Sequence, residues 1–216
     1  MKIVIFVHGF GVMKDARGMF TDIAGALTEQ GYKCVLIDLN AKDNDGNILL
    51  SPFSKQVQIL TTAYEDNKGN ETHIIAHSQG CVVTALANLP NIKKTIFLAP
   101  PTDNNAEKTI SYFKKNPLTS IDLDGTSRLA RRDGTFTLVP KEYWKEREPL
   151  DIASTYQTYI TTHKTVVVKA AQDELVSNEE FASIFNDVEV TEIETNHDFA
   201  DSGRGKLIAF CKKILI

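Results

Sequence analysis

Ser78 stands between two very small residues, Ala76 and Gly80, in the run Thr72 to Cys81, THIIAHSQGC. A serine hydroxyl is a poor nucleophile at neutral pH, and it attacks a carbonyl carbon only when a base removes its proton. His73 to Ala76 read as a short buried strand. Gly80, Cys81, Val82, Val83, Ala85, Leu86 and Leu89 read as the start of a buried helix. A strand that passes straight into a helix at a serine must bend sharply. Side chains two positions to either side would then strike neighbouring backbone, so both sites need small residues. The bend lifts the hydroxyl above the sheet edge and aims the first helical amide at whatever the hydroxyl attacks. This is the G-x-S-x-G pattern with alanine in the first glycine position. Alone it also arises by chance, so its meaning depends on partners.

The base best suited to the hydroxyl is histidine, whose pKa lies near neutrality. Of five histidines, His73 lies within the elbow strand and His163 at the amino end of a later strand. His77 adjoins Ser78 and points the other way, and His8 ends the first strand, where it shapes a turn. His197 follows the last strand after three residues, Glu194 to Asn196, and so falls at the carboxyl edge. It is the candidate base. A base of this kind needs a carboxylate to fix its tautomer. Asp173 sits just past the carboxyl end of the strand Thr165 to Ala170. Glu174, one residue out of phase, and Asp198, beside the histidine, are weaker alternatives. The order serine, acid, histidine is the one expected on a parallel sheet of this kind. His8-Gly9-Phe10-Gly11 follows the first strand, and there the Phe10 amide can join that of Gln79 as a pair of donors for a developing oxyanion. A simple tight turn is the other reading of that stretch.

These side chains need a scaffold that brings three distant loops to one edge. Ile3 to Val7 is an unbroken apolar run, as expected of a strand covered on both faces. Phe20, Ile23, Ala24 and Leu27 follow helical spacing, with Gly31 placed to end the helix. Cys34 to Leu39 reads as a second strand. A helix through Phe53, Val57, Leu60 and Tyr64 begins at Pro52 after a Ser51 cap. Strands are expected at Thr95 to Ala99, Thr165 to Ala170 and Val188 to Ile193. Ser177 and Glu180 form a capping box ahead of Phe181, Ile184 and Phe185. Leu207, Phe210, Cys211 and Ile214 stripe a terminal helix. Alternating apolar strands and helices predict an α/β fold, a parallel sheet with helices on both faces.

Thr102 to Pro149 is too long for a plain connection. Asp133-Gly134 predicts a hairpin turn within Arg128 to Val139, and Tyr143 and Trp144 fall in a short helix. The segment reads as a cap over the carboxyl edge, where open α/β sheets bind ligands. A surface insertion packed away from the site is the alternative. Its aromatic residues, with Phe10, Val12 and Met13, either line an apolar pocket or form the insertion's own core. Arg128, Arg131 and Arg132 either meet an acidic substrate or lie on a solvated face.

The 216 residues fit one domain, 1–216, with the insertion at about 102–149. A net charge of −4 gives no electrostatic reason to expect nucleic acid as a partner. No window approaches the ~18 apolar residues of a membrane span. The apolar start is too short for a signal segment, and the three cysteines, Cys34, Cys81 and Cys211, sit in core-like contexts, so a reducing, cytoplasmic setting is expected. Asn70-Glu71-Thr72 matches a glycosylation sequon by chance. Nothing in the sequence sets an oligomeric state.

His8-Gly9-Phe10-Gly11, Ala76-His77-Ser78-Gln79-Gly80, Asp173 with Val176, and Asn196-His197 together resemble an α/β-hydrolase-fold serine hydrolase. The elbow is similar to that of the YdeN-like and retinoblastoma-binding-protein-9-like group. The resemblance covers nearly the whole chain outside the insertion. It implies a three-layer fold and, without the antiparallel hairpin with which the larger family usually opens, six parallel strands. It implies an acyl-enzyme mechanism in which Ser78, His197 and Asp173 are catalytic, Phe10 and Gln79 form the oxyanion hole, and Gly9, Gly11, His77 and Trp144 border the substrate. It requires no metal or organic cofactor. A small-molecule carboxylic ester is the expected substrate. A thioesterase, amidase or acyltransferase on the same triad, or a non-catalytic binding module of the same fold, are the alternatives.

Overall fold

The computed structural model describes residues 1–176 and 180–215. Strand β1 (Lys2–Val7) leads into helix α1 (Met19–Thr28) and edge strand β2 (Lys33–Leu36). Two short strands, β3 (Ala41–Lys42) and β4 (Ile48–Leu49), precede α2 (Phe53–Glu65). The elbow segment is β5 (Glu71–His77) followed by α3 (Gln79–Ala87), and β6 (Ile92–Leu98) comes next. The insertion holds α4 (Ala106–Lys114), β7 (Thr126–Ala130), β8 (Phe136–Pro140) and α5 (Lys141–Arg147). Helix α6 (Ile152–Ile160), β9 (Thr165–Ala170), α7 (Phe181–Ile184), β10 (Glu189–Ile193) and α8 (Ser202–Ile214) complete the chain.

Six strands form the main sheet in the order β2-β1-β5-β6-β9-β10, with every neighbouring pair parallel. The period-2 alternation of a strand divides its side chains between two cores. Val4 and Phe6 of β1 pack with Phe20, Ile23 and Leu27 of α1 and with Leu207 and Cys211 of α8. Ile3, Ile5 and Val7 face the other side, among Leu60 and Tyr64 of α2, Val82 and Val83 of α3, and Tyr156 and Tyr159 of α6. Helices on both faces explain why the central strands are apolar throughout rather than alternating. This is the three-layer α/β architecture expected from the sequence.

A second sheet has the order β3-β4-β8-β7. Its β7–β8 hairpin turns through residues 131–135, with Gly134 at φ 84°, where a left-handed residue closes the loop without a Cβ clash. The hairpin is not an isolated excursion. β4 pairs with β8 in parallel, Ile48 opposite Thr137, and the Leu50 amide extends the ladder to the Leu138 carbonyl. Residues 41–50 therefore tie the insertion back to the segment that follows the edge strand.

Local details differ from expectation in several places. The strand expected over Cys34 to Leu39 ends at Leu36 because the chain turns off the edge, where the Leu39 amide donates to His8 Nε2 at 2.9 Å. Ser51 does not cap α2. Pro52 holds the cap position, its carbonyl accepting from the Gln56 amide, and helical geometry begins at Phe53. Helix α6, between the insertion and β9, was not expected, although Asp151 caps it on the Ser154 amide and Ile152, Tyr156 and Tyr159 repeat at helical spacing. The expected Ser177 cap lies outside the described residues. Glu180 occupies the position before α7 and makes no side-chain capping bond. Among the described residues the three cysteines are free thiols, and no helix is long and apolar enough to cross a membrane.

Helix α3 packs closely against the end of β1. A Cβ added to Gly80 would lie 2.2 Å from the Val7 carbonyl oxygen and 2.7 Å from that of His8. Both obstacles are backbone and cannot rotate away. Gly80→Ala is therefore expected to destabilise the fold by about 1–3 kcal/mol, the usual cost of overpacking. Urea denaturation measures this, and an unchanged midpoint would show that α3 can move off β1.

Candidate active site

Ser78 sits in the bend between β5 and α3 at φ 53° and ψ −127°, a conformation costly for a non-glycine residue. Neighbouring strands hold it there. The Ser78 amide donates to the Leu98 carbonyl of β6 at 2.9 Å, and the Ser78 carbonyl accepts from the Cys81 amide at 2.9 Å. Gly9, at the end of β1, packs directly beneath, where an added Cβ would come within 3.0 Å of Ser78 Cβ. The three small residues Gly9, Ala76 and Gly80 thus leave room for the bend, and the Ser78 side chain remains partly exposed.

The loops after β9 and β10 carry the next two groups, and backbone bonds hold the loops together. The Ala171 amide donates to the Ile193 carbonyl at 2.9 Å, and the Gln172 amide to the Thr195 carbonyl at 3.0 Å. This pairing brings Asp173 and His197 face to face. His197 Nδ1 lies 2.7 Å from Asp173 Oδ2, and His197 Nε2 lies 3.0 Å from Ser78 Oγ. A carboxylate only accepts, so Nδ1 carries the proton and Nε2 is the free acceptor for the serine O–H. Asp173 Oδ1 accepts the amides of Leu175 and Val176, each at 2.9 Å. Burial alone would raise the Asp173 pKa. The hydrogen bond and charge of His197, with those two amides, outweigh it and hold the carboxyl below its ordinary value. The alternative acids are placed elsewhere: Glu174 is exposed, and Asp198 is paired with Arg17.

His77 lies on the opposite face of β5 from the serine, as strand alternation requires. It is 4% exposed, and its Nε2–H donates to the His197 backbone carbonyl at 2.9 Å, with the two rings 4.9 Å apart. Burial, reinforced by repulsion from His197, lowers its pKa to about 3. His77 therefore supports the His197 loop from below as a neutral donor. His8 is also buried and held neutral, its Nδ1 on the Gly9 carbonyl and its Nε2 accepting from Leu39. His73 bonds Glu71, and His163 bonds the Leu89 carbonyl.

The loop Gly9-Phe10-Gly11 and the first residue of α3, Gln79, flank Ser78. Among the described residues neither the Phe10 nor the Gln79 amide donates to a protein acceptor. Gly11 has φ 61°, and the Arg131 guanidinium of the hairpin binds its carbonyl. Arg131 thus holds backbone rather than standing on a solvated face. The Phe10 ring packs on Phe113 at 6.0 Å and on Tyr143 at 5.6 Å. Trp144 is not at the opening: it is buried against Tyr143, its indole N–H on Ser127 Oγ. Another contributor is not evident from the sequence. Gln56 of α2 is 1% exposed and accepts at Oε1 from the Gln79 side chain at 2.9 Å. Its signal was a glutamine falling on the apolar stripe that runs from Phe53 to Leu60. Among the described residues no three His, Cys, Asp or Glu side chains cluster so as to hold a metal ion.

No protein-family model matches the sequence, and no curated protein matches it. Solved structures do match. Est1E from Butyrivibrio proteoclasticus superposes with a TM-score of 0.72 at 18% identity, over 99% of this chain and 86% of that one. The alpha/beta hydrolase GrgF from Penicillium sp. sh18 gives 0.70 at 17% identity, over 99% and 88%. The esterase domain of a Rhodothermus marinus protein gives 0.67 at 18% identity, over 99% and 84%. At these identities the likeness establishes the fold, which is that of the α/β-hydrolases.

The buried His77 makes stability depend on pH with a definite sign. The unfolded chain protonates this residue below about pH 6.5, whereas the folded chain leaves it neutral down to about pH 3. The unfolded state therefore binds the extra proton in that window, and stability falls as the pH drops through it. His77→Gln keeps a neutral donor and removes the titration. Its urea midpoint should decline less between pH 6.5 and 4 than that of the wild type, and equal declines would contradict this role.

Proposed function

We propose that this chain, built on the α/β-hydrolase fold, is a serine hydrolase that cleaves a carboxylic ester through an acyl-enzyme. The observation that carries the proposal is the continuous relay from Asp173 to His197 to Ser78, at 2.7 and 3.0 Å. The relay ends on a hydroxyl held in a strained, accessible bend.

In this reading His197 Nε2 takes the Ser78 proton as Oγ forms a bond to the acyl carbon. Negative charge moves to the carbonyl oxygen, where the Phe10 and Gln79 amides donate to it. Asp173 stabilises the imidazolium. The carbon–oxygen bond to the leaving group then breaks, and His197 delivers its proton to the departing alkoxide. Water repeats the sequence: His197 deprotonates it, it attacks the acyl carbon, and Ser78 leaves with the returned proton as the acid is released. The lowered Asp173 pKa keeps a carboxylate opposite Nδ1 at neutral pH.

The insertion acts as a cap in this proposal, one part of a single domain, with Phe10, Phe113 and Tyr143 giving the acyl side an apolar character. The names of the matched esterases point the same way. Thioesters, amides or transfer to an acceptor other than water would use the same groups, and a panel of acyl donors separates these chemistries. The substrate is a small acyl compound, and the chain works in the cytoplasm.

Hydrolysis of p-nitrophenyl esters of graded chain length tests the proposal. Ser78→Ala should abolish turnover while leaving the melting temperature nearly unchanged. Asp173→Asn should lower kcat by roughly 10⁴-fold by misorienting the imidazole, whereas Asp198→Asn should leave it close to wild type. Retained activity in Ser78→Ala would assign the nucleophile elsewhere.

A further inference from the structure

Phe10 and Gln79 belong to loops that follow different strands, β1 and β5. The bend at Ser78 fixes where α3 begins but does not fix how far the Phe10 amide stands from that of Gln79. The insertion touches both. Tyr143, on α5, donates its hydroxyl to Gln79 Oε1 at 2.6 Å. The Gln79 Nε2–H donates in turn to Gln56 Oε1 at 2.9 Å, and the Gln56 Nε2–H donates to the Ser51 carbonyl at 2.6 Å. Every donor in this relay has one acceptor, and the relay ends on backbone at the foot of α2. The same Tyr143 ring stacks on Phe53 at 5.2 Å with an interplanar angle of 17°, and lies 5.6 Å from the Phe10 ring.

We propose that Tyr143, anchored through Gln56 and Phe53, is a positioning residue that sets the Gln79 and Phe10 amides as one two-donor site. The inference rests on the reading of those amides as the oxyanion hole. One side chain grips the first residue by a hydrogen bond and the second by ring contact. Arg131 adds a second hold, its guanidinium on the Gly11 carbonyl immediately after Phe10 and on Thr137 Oγ1 at 3.3 Å. A purely structural role would not need this chemistry. Phenylalanine at 143 would make the same ring contacts, and an apolar residue at 79 would fill the same space without a buried carboxamide to satisfy. A continuous buried hydrogen-bond network is instead the kind of arrangement that fixes geometry. The insertion is accordingly part of the catalytic floor as well as its cover.

The test is Tyr143→Phe, which keeps the ring and removes only the hydroxyl, assayed with p-nitrophenyl butyrate. The expected result is a kcat lowered on the order of 10-fold with KM within about twofold of wild type, since misplaced oxyanion donors act on the transition state. In a Gln79→Ala background the same substitution should change kcat by less than about twofold, because the hydroxyl no longer has its acceptor. Gln56→Met, which frees the other end of the Gln79 carboxamide, should reproduce the split and serves if Tyr143→Phe folds poorly. Amide NMR reads positioning without turnover: in Tyr143→Phe the Gln79 and Phe10 signals should broaden or double together. An unchanged kcat, an equal loss in both backgrounds, or single sharp amide signals would overturn the proposal. A wild-type protein inert toward every ester, thioester and amide tested would overturn the hydrolase reading alone, and the amide signals would still decide the positioning role.

Discussion

The bend at Ser78 is the constraint on which the rest of the structure depends. A non-glycine residue at φ 53° costs about 1–3 kcal/mol relative to a relaxed conformation. It persists because α3 is pressed against the end of β1, with only the missing Cβ of Gly80 separating helix from the Val7 and His8 carbonyls. β1 and β6 flank β5 and hold the bend from either side, through the Gly9 contact and the bond from Ser78 to Leu98. Without the central position of β5 in the sheet, neither hold would exist. Fold and site are therefore linked through packing that surrounds one strained residue.

A second constraint acts at the far side of the sheet. Asp173 and His197 lie on separate loops, and their separation is set by the bonds that join those loops after β9 and β10. His77 adds a hold from beneath, bonding the His197 backbone carbonyl and leaving both ring nitrogens to face Asp173 and Ser78. A thiol or a second carboxylate could not play this part, since neither gives a strong neutral donor at neutral pH. The burial that keeps His77 uncharged is thus part of its role, and it makes the fold sensitive to acid.

Much of this was legible in the sequence because it rests on local rules. Ala76, Ser78 and Gly80 encode the bend directly, and the apolar runs at Ile3 to Val7 and Thr165 to Ala170 encode strands covered on both faces. The places of Asp173 and His197 follow from a count of strands, since each lies just past a carboxyl end. What could not be read depends on contacts between distant segments. Ile48 and Leu49 join the sheet of the insertion only because β8 arrives beside them, and no two-residue strand has a periodicity to recognise. Trp144 reads as a pocket residue until Ser127 is seen to hold its indole N–H in the interior. Gln56 looks like a surface glutamine that strayed onto an apolar face, and only the neighbouring Gln79 gives it a purpose.

In the proposed mechanism the Ser78 hydroxyl is a nucleophile activated by its neighbours rather than an ordinary turn residue. Mass spectrometry of the folded protein after treatment with a fluorophosphonate probes this most directly, because ordinary serine hydroxyls do not react. We expect one adduct per chain, on the peptide that contains Ser78, and none after the protein is unfolded beforehand. An unlabelled protein, or an adduct on a different residue, would contradict it.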